Sequence, residues 1–195
     1  MRHWFPEGSA HMLFTFLLAL GLAGCATDQE PQIDESSFYV SLASTRAQVD
    51  AKTAASMISG YRRNNGLGRV VVDSELMRLA REHANAMAAR NEMGHNVGMR
   101  FEDRIRNSNV RASAVVENVA AGYHTLAEAF SGWRDSPGHR ANMLHPDVTR
   151  MGIAAVYAPG SKYRVFWALI LASPNARQND KQNPGLWPFL VRPPT

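Results

Sequence analysis

Val116–Pro146 reads VENVAAGYHTLAEAFSGWRDSPGHRANMLHP. This one stretch gathers Glu117, Trp133 and His139 around a Pro137-Gly138 pair that must end one helix and so sets the start of another near His139. Before it, Ala114 to Ala120 is apolar and partly β-branched, interrupted only by Glu117-Asn118. That composition predicts a strand whose end carries the acid. Leu126, Ala129, Phe130 and Trp133 mark the helix that follows, with Trp133 as a core anchor. Ser136 stands where it would cap the helix containing His139.

Working upstream, Val49, Thr53, Ala54, Met57, Ile58 and Tyr61 recur at three- and four-residue steps and predict an amphipathic helix ending near Asn64-Asn65-Gly66. A second helix opens at Asp73 or Ser74, either of which can cap it, and shows one face of Leu76, Leu79, Ala80, His83, Ala84, Met87 and Ala88. His83 on that face reads as a core histidine bonded to the backbone. Gly94-His95-Asn96 follows in a loop, and Met99 to Asn107 fits a short helix. Downstream, Gly152 to Tyr157 and Tyr163 to Leu171 are apolar runs split by Ala158-Pro159-Gly160-Ser161, the pattern of an antiparallel hairpin. The fold class is therefore α+β, a three-layer α/β/α sandwich with a small antiparallel sheet.

The chain of 195 residues suits one domain with tails, and its hydrophobic fraction of 45% and charged fraction of 19% exclude wholesale disorder. A net charge of +4 is spread over scattered arginines with acids between them, which gives no footprint for nucleic acid. The organisation expected is 1–25 leader, 26–44 polar tether, 45–174 domain and 175–195 proline-rich tail, the last carrying Trp187 and Phe189. Residues 12–22, MLFTFLLALGL, have the length of a signal-peptide core and are too short to span a bilayer as a permanent helix. Glu7 offsets Arg2 ahead of that core, so Met1 and Met12 both stand as starts. The single cysteine, Cys25, excludes an intrachain disulfide.

Glu117-Asn118-Val119-Ala120-Ala121-Gly122, Trp133, SPGHRANML and Thr149-Arg150-Met151-Gly152-Ile153, with Tyr61 to Leu67, Asp73 to Leu76 and Gly94-His95-Asn96 upstream, resemble the bacterial branch of the CAP (or SCP) superfamily. That superfamily groups cysteine-rich secretory proteins, venom antigen five and plant pathogenesis-related proteins. Leu22-Ala23-Gly24-Cys25 likewise resembles a bacterial lipobox. It implies lipidation at Cys25 and a membrane-anchored lipoprotein of the cell envelope, on the outer membrane facing the periplasm in a Gram-negative cell.

In eukaryotic CAP proteins two histidines and two glutamates line a cleft, and the histidines can hold a divalent metal. The resemblance carries the histidine positions to His95 and His139 and a glutamate to Glu117. It implies a cleft of His95, Asn96, Glu117, Asn118, Ser136, His139 and Asn142. His95 and His139 would be the metal ligands, and Glu117 and His139 the catalytic pair. Ser136 stands where the animal and plant proteins have a second glutamate, which reduces the charge available to a cation. Two readings of His95, His139 and Glu117 stay open: a Zn2+ site with a free coordination position, and a hydrogen-bonded structural network. A serine hydrolase built on Ser136 and His139 lacks a nucleophile elbow. Three functions follow: a module binding a lipid, a cell-wall fragment or a partner peptide; a metal-assisted hydrolase of envelope peptide or glycan bonds; and a structural envelope protein.

Overall fold

The computed structural model describes residues 35–175. The leader, Cys25, the first part of the tether and the tail beyond Asn175 lie outside the described residues. Helix α1 spans Ala51–Arg63, strand β1 Val71–Val72, α2 Ser74–Arg90, α3 Phe101–Arg106, β2 Val115–Ala121, α4 Leu126–Asp135, α5 Pro137–Met143, β3 Arg150–Tyr157 and β4 Val165–Ala172. The sheet order is β1-β3-β4-β2. β3 pairs antiparallel with β4, and β4 with β2, so the expected antiparallel sheet is present; β1 adds a two-residue parallel edge on β3.

Local sequence sets the helix ends. The Asp50 carboxylate accepts from the Lys52 and Thr53 amides at the start of α1, and Asp73 accepts from Glu75 and Leu76 at the start of α2. Asn91 ends α2 in a left-handed turn, at φ 50°. Thr125 and Glu128 form a reciprocal capping box on α4. Ser136 holds the N-cap position of α5, but its side chain makes no capping bond, contrary to the sequence expectation. Pro137 occupies the first helical position and has no N–H to offer.

β4 is buried along its whole length, and its alternation builds two cores. Val165, Trp167, Leu169 and Leu171 face α1, α4 and α5. Phe166, Ala168, Ile170 and Ala172 face α2 and α3. The three layers follow from that period of two. The α2 layer lies close against β3: a side-chain carbon at Gly152 would sit 2.1 Å from the Leu76 carbonyl carbon. Only glycine admits that approach. The hairpin connection is longer than the four residues expected, because Arg164 turns left-handed, at φ 65°, before β4 begins.

Two features depart from the sequence reading. Residues 35–44 are not free tether: Leu42 is buried in the core beside α4, and its amide donates to the His124 carbonyl at 2.7 Å. The domain therefore begins before residue 45. Arg62, for which the sequence reading gave no structural role, is 1% exposed. Its Nε donates to the Gly68 carbonyl, Nη1 to the Met143 and His145 carbonyls, and Nη2 to the Val148 carbonyl, all at 2.8–2.9 Å. A planar guanidinium with five donors suits this task. It satisfies carbonyls at and beyond the end of α5, and so fixes the helix that carries His139.

Candidate functional site

β2 is the sheet edge on which the site is built. Its period of two sends Glu117 and Asn118 to opposite faces. Glu117 points into the α2–α3 layer and Asn118 toward α5. Glu117 lies third in a seven-residue strand, not at its end.

Glu117 is 1% exposed. Arg104 of α3 grips it with two donors, Nη1 to Oε2 at 2.8 Å and Nη2 to Oε1 at 3.0 Å. His95 Nδ1 donates to Oε1 at 3.0 Å. Burial by itself would raise the carboxyl; the bonds from His95 and Arg104 and the Arg104 charge outweigh it and hold Glu117 below the usual carboxylate range. Arg104 Nη2 also donates to the His95 carbonyl at 2.8 Å, and the Arg104 guanidinium stacks 5.3 Å from the Phe101 ring centre.

The Gly94-His95-Asn96 loop is pinned residue by residue. His83 Nε2 donates to the Gly94 carbonyl at 2.9 Å. The Asn96 side-chain oxygen accepts from the Phe101 amide at 3.1 Å, closing the start of α3. With Nδ1 of His95 committed to Glu117, the neutral ring carries its lone pair on Nε2, and the side chain is 17% exposed. The result is an oriented imidazole backed by a buried carboxylate.

On the other face, the Asn118 amide donates to the His139 carbonyl at 3.0 Å. The Asn142 amide donates to the Glu117 carbonyl at 3.0 Å and to the Asn118 side-chain oxygen at 2.9 Å. Trp133 Nε1 donates to the Val119 carbonyl at 3.4 Å. Carbonyls on the free side of an edge strand are thereby closed by side chains from α4 and α5. Asn118 and Asn142 are buried and committed to this staple, so they support the cleft from beneath. His139 and Ser136 are half-buried at a pocket beside it. Burial, with a smaller effect of His95, pushes the His139 imidazole below its ordinary value.

The structure thus brings His95 and Glu117 into contact and puts His139 close enough for the two imidazoles to interact electrostatically. Of the three expected donors, Glu117 already spends both oxygens on bonds from Arg104 and His95. Among the described residues no group of three His, Cys, Asp or Glu side chains could hold an ion. Sequence reasoning missed Arg104 and Tyr123. Arg104 shares its short helix and flank with Arg100 and Arg106, and no local pattern separates it from them.

The family model of the CAP, cysteine-rich secretory protein family matches residues 55–171. Protein YkwD of Bacillus subtilis is 29% identical over 108 residues, which is 54% of this chain and 42% of YkwD. The chain therefore spans less than half of that relative's length. A solved extracellular protein containing an SCP domain from Bacillus anthracis superposes with a TM-score of 0.55 at 22% identity, over 63% of this chain and 39% of that one. An outer surface protein of Borrelia burgdorferi gives 0.56 at 19% identity, over 65% of this chain and 97% of that one. At these identities the solved structures show the fold alone.

His83 and His139 both have folded-state pKa values depressed by burial below the ordinary 6.5. Their stabilising contribution is complete above that value and is lost as the pH falls below it. Urea unfolding should give a constant free energy from about pH 8 to 7 and a declining one from about pH 6.5 to 5. A stability that rises on acidification through that window would contradict the assignment.

Proposed function

The chain belongs to the CAP, or cysteine-rich secretory protein, family, and from that premise we propose that it is an envelope-anchored binding module whose cleft, between His95 and His139, receives a ligand. One observation carries this reading: Glu117, the one carboxylate at the site among the described residues, is buried and bonded through both oxygens to Arg104 and His95. A general acid or base must reach the proton it moves. The Glu117 side chain has no exposed surface with which to do so. It acts as the internal counter-charge that orients His95 and holds the loop in a binding-ready form, which lowers the ordering cost of association.

The alternative is a hydrolase in which His95, backed by Glu117, acts as base through its outward Nε2, with or without a divalent metal. Its support is the imidazole–carboxylate geometry, which is that of an oriented base. Among the described residues no group of three His, Cys, Asp or Glu side chains joins it to hold an ion. A structural envelope role would need only the anchor.

Anchoring rests on residues 22–25, read as a lipid attachment site at Cys25. Two or more acyl chains on one residue give the stable attachment that a single chain does not. On this reading Cys25→Ala moves the protein from the membrane to the soluble fraction; persistence with membrane would refute the lipid anchor.

Binding is tested by calorimetric titration of soluble cell-wall muropeptides and of lipid vesicles into the purified protein and a His95→Ala, His139→Ala variant, with and without zinc. One saturable site, weakened at least tenfold in the variant and unchanged by zinc, is expected. Cleavage of the muropeptides, seen by mass, would overturn the reading in favour of hydrolysis. Zinc bound tightly through the two histidines would restore the metal reading.

A further inference from the structure

Between β2, α4 and α5 lies a pocket of about 240 Å³. Val119, Ala121, Trp133 and Met93 give it apolar walls. Tyr123, Ser136 and His139 supply its polar edge. These three share a property: among the described residues their polar side-chain atoms find no hydrogen-bond partner, whereas those of Asn118 and Asn142 are committed. Ser136 makes no capping bond. The hydrogen bonds of Tyr123 and His139 run only through their carbonyls, which accept from Trp167 and Asn118. The Tyr123 ring can form one wall only because residue 132 is glycine, where a side-chain carbon would lie 2.3 Å from the Tyr123 hydroxyl oxygen.

We propose that this pocket takes a short acyl-amide group, with its small alkyl end against Val119, Ala121 and Trp133 and its C=O and N–H meeting Tyr123, Ser136 and His139. Three features of the pocket select that chemistry, and the inference rests on the binding reading above. No charged side chain lines the cavity, so an ionic group would enter without a counter-charge and at high desolvation cost. His139 is itself kept neutral by burial, which leaves one ring nitrogen as donor and the other as acceptor. The two hydroxyls and that ring offer both donors and acceptors, which an amide matches and an alkyl chain leaves unpaired. The volume is below the ~300–1,000 Å³ of pockets for drug-sized ligands, which fits a substituent rather than a whole lipid. An N-acyl group on a sugar and an alanyl peptide link present the same chemistry.

The test is a ¹H–¹⁵N NMR titration of the protein with N-acetylglucosamine, with N-acetylalanine methylamide, with glucose and with decanoate. The two amides should shift the signals of Gly132, Ser136 and His139 saturably. Glucose and decanoate should not. Tyr123→Phe should weaken amide binding about twofold to tenfold while leaving the fold intact, as expected for one lost hydrogen bond. The tighter of the two amides identifies the source, sugar or peptide. Equal shifts from glucose and N-acetylglucosamine, or silence from both amides, would overturn the proposal. Decanoate alone in the pocket would overturn the ligand class yet leave the binding module standing. Failure of the binding module itself shows elsewhere, as the absence of any saturable site for wall fragments or vesicles.

Discussion

A carboxylate sealed inside the protein is tolerable only if its charge is answered on the spot. Glu117 is answered by Arg104, and the geometry of the site follows from that pairing. The strand alternation that buries Glu117 also turns Asn118 toward α5. Arg104, having bridged both carboxylate oxygens, reaches on to the His95 carbonyl. His95 returns the contact through its ring. One ion pair therefore joins α3, β2 and the loop between α2 and α3, three consecutive segments of the chain. Without it the loop would lose its link to β2 and keep the His83 and Asn96 bonds and the buried Val97.

The α5 side is held by a different device that serves the same end. The Asn118–Asn142 staple fixes α5 to the sheet edge, and Arg62 satisfies the carbonyls where α5 ends. Arg62 has no carboxylate partner in these contacts; its four carbonyl acceptors share the charge. Burial pushes its pKa down, yet a guanidinium stays protonated under any ordinary condition. His95 is thus rigidly oriented, whereas the ring of His139 stays free although its helix is clamped. That difference suits a cleft with a fixed frame and one adaptable edge.

Much of this fold was legible in the sequence, and the physical reasons are local. Asp73 and the Leu76–Met87 stripe identify α2, and the capping and burial found there are those the spacing requires. His83 reads as a backbone-bonded core histidine and bonds the Gly94 carbonyl. Glu117, His95 and His139 were singled out by resemblance, but their relations were not. Strand alternation alone could have separated Glu117 from Asn118 and warned that they do not share a cleft wall. Arg104 and Arg62 were illegible, because an arginine in a charged helix end looks the same whether it meets water or a buried acceptor. Ser136 shows the limit from the other side: the residue type and position were right for a cap, and the residue lines the pocket without making the capping bond.

The account turns on the Arg104–Glu117 pair as an energetic unit, and a double-mutant cycle with Arg104→Met, Glu117→Gln and the combined variant measures it most directly by urea unfolding. Either single change leaves a buried charge or a buried donor set unanswered and should cost about 3–5 kcal/mol. The combined variant should be more stable than the sum of the two losses implies, by about 2 kcal/mol or more. Losses that add to within about 0.5 kcal/mol would show that the two side chains act independently, and the pairing could not then be what holds the site.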